Sequence, residues 1–261
     1  MRLPLYQVDA FTDRLFAGNP AAVVPLETWL PHATLQAIAA ENNLAETAFF
    51  LRETKDYALR WFTPTVEVDL CGHATLASAH VIFDRLEPQR RDVSFRTLKA
   101  GTLTVTRQGD ELAMDFPARP PRPVAAPSGL AAALGAPPVA VLAARDHLAV
   151  YERQQDVAAL RPDFAMLARL DCFAVIATAP GDNGVDFVSR FFAPAQGIPE
   201  DPVTGSSHCT LIPYWAERLG KTKLRARQIS PRGGDLTCAF AGERVTIGGR
   251  CVSYLEGTIS L

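Results

Sequence analysis

The chain turns at Leu70-Cys71-Gly72-His73-Ala74-Thr75-Leu76 and continues as Ala77-Ser78-Ala79-His80-Val81-Ile82-Phe83. Only three side chains between Ala74 and Phe83 are polar, so the predicted helix has no wide polar face and we expect it to be buried. A buried helix that follows a glycine turn offers unpaired N–H groups and the positive end of its dipole, which suits a carboxylate or phosphate. We therefore expect half of an anion-binding site here.

The chain carries this pattern twice. The first helix is preceded by Arg60-Trp61-Phe62-Thr63-Pro64, and a second apolar helix is preceded by Arg190-Phe191-Phe192-Ala193-Pro194. The copies are offset by 130 residues at the arginine and by 133 at the glycine, which aligns Cys71, Gly72 and His73 with Thr204, Gly205 and Ser206. Such a repeat predicts two related half-domains. If they face each other, two helix N-termini would meet at one cleft for a small anion.

The composition is typical of a globular protein with a large core. The 261 residues are 48% hydrophobic and 21% charged, with a formal net charge of −2. No basic block or aromatic-basic stripe indicates a nucleic-acid partner. The five cysteines are scattered without a C-x-x-C pair. The N-terminus lacks a signal-peptide hydrophobic region, and there is no apolar run of about 18 residues. We expect a cytoplasmic protein with no membrane partner.

Alternating segments predict many antiparallel strands around one central helix in each half. Five prolines fall within residues 117–127, a segment that can hold neither a helix nor a central strand, so we place the domain boundary there. The predicted domains are residues 1–117 and 118–251, and the final strand, residues 252–261, is expected to return to the first. Pro213 lies inside the second helix and should kink it.

Glu46 is the candidate acid–base residue. Its neighbours between residues 44 and 50 are mostly apolar, and burial among them would raise the affinity of the carboxylate for protons. A carboxylate of this kind can shuttle a proton near neutral pH. From the pattern alone, a glutamate that caps a strand or pairs with an arginine is the more common interpretation.

Further candidates lie at the two glycine turns. Cys71 stands where a helix N-terminus would acidify a thiol, but Thr204 occupies the place of the partner thiol, so a buried structural role is favoured. His73 is expected to bind a ligand oxygen. Because Cys71 is the only third donor for a metal held by His73 and His80, we predict no metal. Asp201 is as readily a loop acid as a site residue.

Six segments together resemble the PhzF family of phenazine biosynthesis, whose fold is that of diaminopimelate epimerase. These are Asp9-Ala10-Phe11-Thr12, Gly18-Asn19-Pro20-Ala21, Asn43-Leu44-Ala45-Glu46-Thr47-Ala48-Phe49, Arg60-Trp61-Phe62-Thr63-Pro64, Cys71-Gly72-His73-Ala74-Thr75 and Glu200-Asp201-Pro202-Val203-Thr204-Gly205-Ser206. The resemblance covers almost the whole chain. It implies an α+β fold of two pseudo-symmetric lobes, each a curved, antiparallel-rich sheet around a central helix, in a homodimer.

The resemblance also implies a cofactor-independent isomerase. In the phenazine enzyme a glutamate moves a proton between carbons of trans-2,3-dihydro-3-hydroxyanthranilate. Glu46 matches that glutamate, so the resemblance favours a catalytic role for Glu46 over the structural role that the local pattern favours. His73 and Asp201 match the polar residues that assist the proton transfer. The residues that match substrate contacts are Asn19, Gly72, Gly205 and Ser206. We therefore expect a small, anionic, amino acid-like substrate that carries a carboxylate.

Two other functions stay open from the sequence. The first is a non-catalytic protein that binds small carboxylates. The second is a cysteine-dependent amino acid racemase or epimerase. The related epimerases carry thiols at the positions of Cys71 and Thr204, and the threonine departs from that pattern. This departure argues against epimerisation by two thiols.

Overall fold

The chain forms 18 β-strands and six α-helices, which confirms the predicted α+β class. The computed structural model describes all 261 residues. It divides into two compact units, the first formed by residues 1–115 and 248–261 and the second by residues 116–247. No helix is both long enough and apolar enough to cross a membrane.

The first unit is a sheet with two helices. In chain order its elements are β1 (Arg2–Ala10), β2 (Asn19–Leu26), α1 (His32–Asn42), β3 (Glu46–Arg52), β4 (Tyr57–Phe62), β5 (Glu67–Val68), α2 (Gly72–Val81), β6 (Asp92–Arg96), β7 (Thr102–Gln108) and β8 (Glu111–Pro117). The last strand of the chain, which is β18 (Cys251–Ser260), pairs antiparallel with β1 in this unit. Gly109 and Asp110 make the two-residue turn between β7 and β8.

The two helices of the first unit differ in how they are buried. On α1, Leu35, Ile38 and Ala39 form one apolar face that packs with residues of β1, β2, β3 and β4. Eight of the ten residues of α2 are buried, and the helix contacts β1, β2, β3 and β18. The expected buried helix is therefore present. It ends as an α-helix at Val81, and one π-helical turn, Ile82–Leu86, completes the predicted segment.

The second unit repeats this plan. Its elements are β9 (Arg122–Pro123), α3 (Leu130–Leu134), β10 (Ala140–Ala143), β11 (His147–Val150), α4 (Gln154–Ala159), α5 (Phe164–Leu167), β12 (Val175–Pro180), β13 (Phe187–Ala193), β14 (Ile198–Asp201), α6 (Gly205–Leu219), β15 (Lys223–Gln228), β16 (Gly234–Ala241) and β17 (Arg244–Gly249). The helices α3, α4 and α5 and the strand β14 are at most six residues long, too short for a clear hydrophobic period in the sequence.

Strand pairing shows that the two copies are built alike. In the first unit, β3 is parallel to β2 and antiparallel to β4, which is in turn antiparallel to β5 and parallel to β6. In the second unit, β12 is parallel to β11 and antiparallel to β13, which is antiparallel to β14 and parallel to β15. The internal repeat predicted from sequence therefore reflects a repeat of structure.

Each copy is fixed by the same ion pair. Arg60 on β4 donates two hydrogen bonds to Glu67, of 2.7 and 2.8 Å, and Arg190 on β13 donates two of the same lengths to Glu200. The glutamates are 133 residues apart and the arginines 130, so the three extra residues of the second copy lie between the ion-pair partners. They are accommodated by a single 3-10 turn, Pro194–Gln196.

Pro213 has a structural consequence that the sequence does not reveal. It lies within the 15-residue α6 and has no N–H to give to the carbonyl of Cys209, four residues earlier. That carbonyl instead accepts a hydrogen bond of 2.8 Å from the backbone N–H of Arg119. The proline thus frees an acceptor that anchors the proline-rich segment to the helix.

The two ion pairs should differ in how much stability is lost when the glutamate is replaced by glutamine. Arg190 is buried and also donates to the carbonyls of Val157 and Leu160, so Glu200→Gln leaves a buried guanidinium without its carboxylate. We expect a loss of about 3–5 kcal/mol in the free energy of unfolding. Glu67→Gln should cost less, because Glu67 and Arg60 are more exposed. Urea unfolding of both variants measures this, and an equal loss would contradict it.

Candidate functional site

The first unit brings Asn19, Glu46, Cys71 and His73 together. Ala21 on β2 lies opposite Glu46 on β3, so the first residues of these two parallel strands are close. Gly18, with φ of +65°, precedes Asn19, and a Cβ at this glycine would lie 2.2 Å from the carbonyl oxygen of Ala10. Glycine is therefore required where the chain enters β2.

Glu46 and His73 form a buried pair. The residue exposures are 8% for Glu46 and 4% for His73, and the Nε2 atom of the ring lies 3.1 Å from the carboxylate Oε2. This is an ion-pair contact, and Oε2 makes no aligned hydrogen bond in the structure. The oxygen therefore has lone pairs that can accept a proton from a bound molecule.

Asn19 holds the other nitrogen of the ring. Its side-chain amide nitrogen lies 3.1 Å from Nδ1 of His73, and the asparagine is fully buried. An amide can present its N–H₂ group to a neutral Nδ1 or, after rotation, its oxygen to a protonated one. His73 can therefore change its charge without losing its orientation.

The charges of His73 and Cys71 are coupled to Glu46. Burial by itself lowers the pKa of His73, but the neighbouring Cys71 and Glu46 raise that pKa well above 6.5. Burial, with a smaller contribution from Glu46, raises the pKa of the Cys71 thiol to about 11. Because this thiol is uncharged at neutral pH, the Glu46 carboxylate is the partner that favours the imidazolium form of His73.

The side chains that lie close enough together to bind a metal ion differ from those considered in the sequence analysis. Donor atoms of Glu46, Cys71 and His73 lie within 4.8 Å of one another, and these are residue types that bind zinc. His80, considered there as a possible ligand, instead places Nε2 2.9 Å from the hydroxyl of Ser253. The third donor beside Cys71 and His73 is therefore Glu46. Sequence spacing could not show this, because Glu46 comes from a different element.

The second unit holds the other predicted residues around the start of α6. Thr204 donates a hydrogen bond of 2.5 Å from its hydroxyl to Oδ2 of Asp201. Gln228, at the end of β15, donates to the Asp201 carbonyl and accepts from the backbone N–H of Thr204. Gly205 and Ser206 follow as the first two residues of the helix. Asp201, Gly205 and Ser206 are thus neighbours, fixed by a glutamine that the sequence did not suggest.

The two long helices start in the same way. Cys71 and Thr204 are their N-terminal caps, which agrees with the alignment of the repeat. Thr75 donates its hydroxyl to the Cys71 carbonyl at 2.5 Å, and His208 places Nδ1 2.8 Å from the Thr204 carbonyl. Because a carbonyl only accepts, Nδ1 of His208 carries the hydrogen. In each helix a side chain four residues after the cap therefore fixes the first turn.

Register also identifies the counterpart of Glu46. Thr47 lies opposite Phe62, and Val175 lies opposite Phe192, the residue that corresponds to Phe62 in the repeat. The residue before Val175 is Ala174, so the second unit has alanine where the first has the acid. The candidate proton-transfer group is present in one copy of the repeat.

The chain was compared with known proteins. The sequence profile described as phenazine biosynthesis-like protein matches residues 8–257. The chain belongs to this family. It is 54% identical over 261 residues, with full coverage of both chains, to an uncharacterized isomerase of Pseudomonas aeruginosa.

Solved structures support the same assignment. A phenazine biosynthesis protein of the PhzF family from Enterococcus faecalis is 48% identical, with a TM-score of 0.97 and complete coverage of both chains. A hydroxyproline epimerase from Agrobacterium vitis has a TM-score of 0.59 at 12% identity. The match covers 100% of this chain and 93% of the epimerase chain. At that identity the likeness concerns the fold, and it confirms the predicted epimerase-like architecture.

His208 makes the stability of the second unit depend on pH. Its complete burial lowers the pKa of the imidazole from 6.5 to about 4, against the opposing effect of the Thr204 carbonyl. Between these pH values the unfolded chain binds a proton that the folded chain does not, so stability falls as the pH falls from 6.5 to 4. The whole contribution is on the order of 3 kcal/mol.

This dependence is measured by urea unfolding of the protein and of His208→Gln at pH 7 and pH 4.5. The glutamine variant should lose less stability on acidification. His147→Gln, in the same unit but not fully buried, serves as the control. Identical losses in all three proteins would show that His208 does not titrate as the structure indicates.

Proposed function

We propose that the protein is an isomerase that moves a proton between carbon atoms of a small, carboxylate-bearing, amino acid-like substrate. The observation that carries the proposal is the buried Glu46 carboxylate beside the His73 ring. The name isomerase given to the relative from Pseudomonas aeruginosa supports the same reaction class.

In the proposed reaction Glu46 acts first as base and then as acid. Its carboxylate takes a proton from one carbon of the substrate, and the electron pair of the broken C–H bond shifts into the adjacent unsaturated system. The carboxylic acid then returns the proton to a second carbon. Protons and electrons balance within the substrate and one side chain, so the step needs no cofactor.

His73 would tune this transfer. Its ring nitrogen Nε2 lies 3.1 Å from Oε2 of Glu46, close enough to orient the carboxylate for the transfer. Asn19 keeps the ring oriented in either charge state. The roles of Asp201 in assisting the transfer, and of Gly72, Gly205 and Ser206 in binding the substrate, follow from the family resemblance and remain proposals. The cytoplasmic location and the homodimer also remain predictions.

A thiol-based racemase fits these residues less well. The pKa of the Cys71 thiol, raised to about 11, leaves it protonated at neutral pH, whereas the thiolate is the reactive form. The cap of the matching helix is Thr204, which has no thiol. The proposed reaction therefore uses Glu46 as its only proton carrier.

Replacement of the carboxylate tests the proposal directly. In Glu46→Gln we expect isomerisation of trans-2,3-dihydro-3-hydroxyanthranilate, or deuterium uptake by amino acids and their unsaturated relatives in D₂O, to fall by about 10²-fold or more. Chromatography separates the isomers, and mass spectrometry measures the deuterium uptake. The control is Glu41→Gln, an exposed glutamate at the end of α1. Undiminished exchange in Glu46→Gln would contradict the assignment, and absence of exchange in the unmodified protein would favour a binding protein.

Cys71→Ser separates acid–base chemistry from thiol chemistry. Serine keeps the size and a hydrogen-bonding group beside His73, so we expect the exchange rate to stay within about tenfold of that of the unmodified protein. The same deuterium assay measures the rate. A loss as large as that of Glu46→Gln would instead favour the cysteine-dependent mechanism.

A further inference from the structure

Three different metal-binding side chains of the first unit meet at one point, and we call them the donor cluster (Glu46, Cys71 and His73). Nε2 of His73 lies 3.1 Å from Oε2 of Glu46 and 4.0 Å from Sγ of Cys71, and one donor atom of each residue lies within 4.8 Å of the others. Around a tetrahedral zinc ion, nitrogen, oxygen and sulfur ligands are separated by about 3.3–3.6 Å. The two distances from Nε2 therefore lie within about half an ångström of those that zinc requires.

The donor cluster is buried but still reached by solvent. The residue exposures are 8% for Glu46, 6% for Cys71 and 4% for His73. Oε2 of Glu46 is buried without a hydrogen-bond partner, and a buried anionic oxygen costs free energy unless a cation or a donor compensates it. A Zn²⁺ ion held by one carboxylate, one thiolate and one neutral imidazole forms a group with no net charge. The metal would thus remove this cost.

Asn19 can hold the imidazole in the form that binds a metal. The sulfur of Cys71 is closer to Nδ1 of His73, at 3.5 Å, but Nδ1 already faces the amide of Asn19 at 3.1 Å. After rotation of that amide, its oxygen accepts a hydrogen bond from Nδ1–H, which leaves the lone pair on Nε2 for the metal. A histidine that binds a metal usually donates its other ring N–H to such an oxygen.

The mixture of donors indicates which metal fits. A thiolate is a soft ligand and an imidazole a borderline one, and together they favour zinc over Mg²⁺ and Ca²⁺, which take oxygen ligands. Three protein ligands also leave the fourth tetrahedral position to water or to another small ligand. Zinc is therefore the ion that the donor cluster suits among these.

The second copy of the repeat lacks all three donors. The aligned residues have no thiol, imidazole or carboxylate, and they are Thr204, Ser206 and Ala174. The structure gathers no second set of three histidine, cysteine or acidic side chains with this spacing. We therefore expect one zinc ion per chain.

We propose that the donor cluster is a zinc site whose occupation inhibits the protein. On binding, the thiol of Cys71 releases its proton to solvent and the sulfur bonds to the metal instead. Zinc then holds Oε2 of Glu46, so this oxygen can no longer take a proton from a substrate. The sequence argument against a metal considered His80 in place of Glu46. Zinc binding stands on the geometry of the donor cluster, whereas inhibition rests on the proposed function.

Zinc titration of the tag-free protein, followed by calorimetry, tests the site. The unmodified protein should bind one Zn²⁺ per chain. Cys71→Ser and Glu46→Gln should each weaken the affinity by about 100-fold or more, because loss of a ligand costs more than the roughly 10–100-fold lost with a residue behind a ligand. The controls are Cys251→Ser and His80→Gln, which change a thiol and an imidazole of the same unit outside the donor cluster. Both should bind zinc as the unmodified protein does.

Cobalt(II) reports on the sulfur ligand directly. Co²⁺ occupies tetrahedral zinc sites, and a bond from cobalt to a thiolate gives a charge-transfer absorption in the near ultraviolet. This absorption should appear in the unmodified protein and in Cys251→Ser and should be absent from Cys71→Ser. Circular dichroism shows whether each variant is folded. An absorption that persists in folded Cys71→Ser would place the metal at another cysteine and overturn the inference.

The outcomes distinguish this inference from the proposed function. Saturation with zinc should slow deuterium exchange by about 100-fold or more, and a chelator should restore it. If the protein binds no zinc, or binds it equally well without Cys71 and Glu46, the inference is overturned whatever the exchange assay shows. Exchange at the full rate in the zinc-saturated protein would overturn the inhibition. If the metal-free protein exchanges no substrate, the isomerase proposal fails, while calorimetry and cobalt absorption still decide the zinc site.

Discussion

The ion pair between a strand arginine and a glutamate beyond the following turn is the constraint on which both copies of the structure depend. Each guanidinium is fixed edge-on by a carboxylate, in Arg60 with Glu67 and in Arg190 with Glu200. Because the fork is bidentate, it sets both the distance and the direction of the chain that leads to the next helix. The second copy keeps this geometry although it has three extra residues.

The buried helices that follow create a demand for hydrogen bonds. A helix without a polar face cannot satisfy its first turn with water, so its N-terminal groups need partners from the protein or from a ligand. Separately from these N–H groups, a side chain four residues after the cap donates to the cap carbonyl in both copies, Thr75 in α2 and His208 in α6. The histidine has a cost, because its burial makes the folded state sensitive to acid.

The two copies share a scaffold but differ in chemistry. The first unit has Glu46 at the start of β3, whereas the register puts Ala174 at the corresponding place in the second. The second residue of the helix is His73 in one copy and Ser206 in the other, and their neighbours are Asn19 and Arg145. At this place one unit thus has an acid and a histidine, and the other has an arginine and a serine.

The sequence by itself determined the repeat and the two long helices, because these depend on local patterns and on the offset between copies. Glu46 as the candidate acid came from the family resemblance, since its local pattern alone favoured a structural role. It also placed Cys71 and Thr204 at matching caps, and it identified the family. Tertiary structure alone decided which side chains meet. Asn19 reaches His73 across 54 residues, Gln228 reaches Thr204 across 24, and Arg145 reaches Ser206 across 61. Such contacts are set by strand register and helix packing, which bring distant segments together and have no period in the sequence.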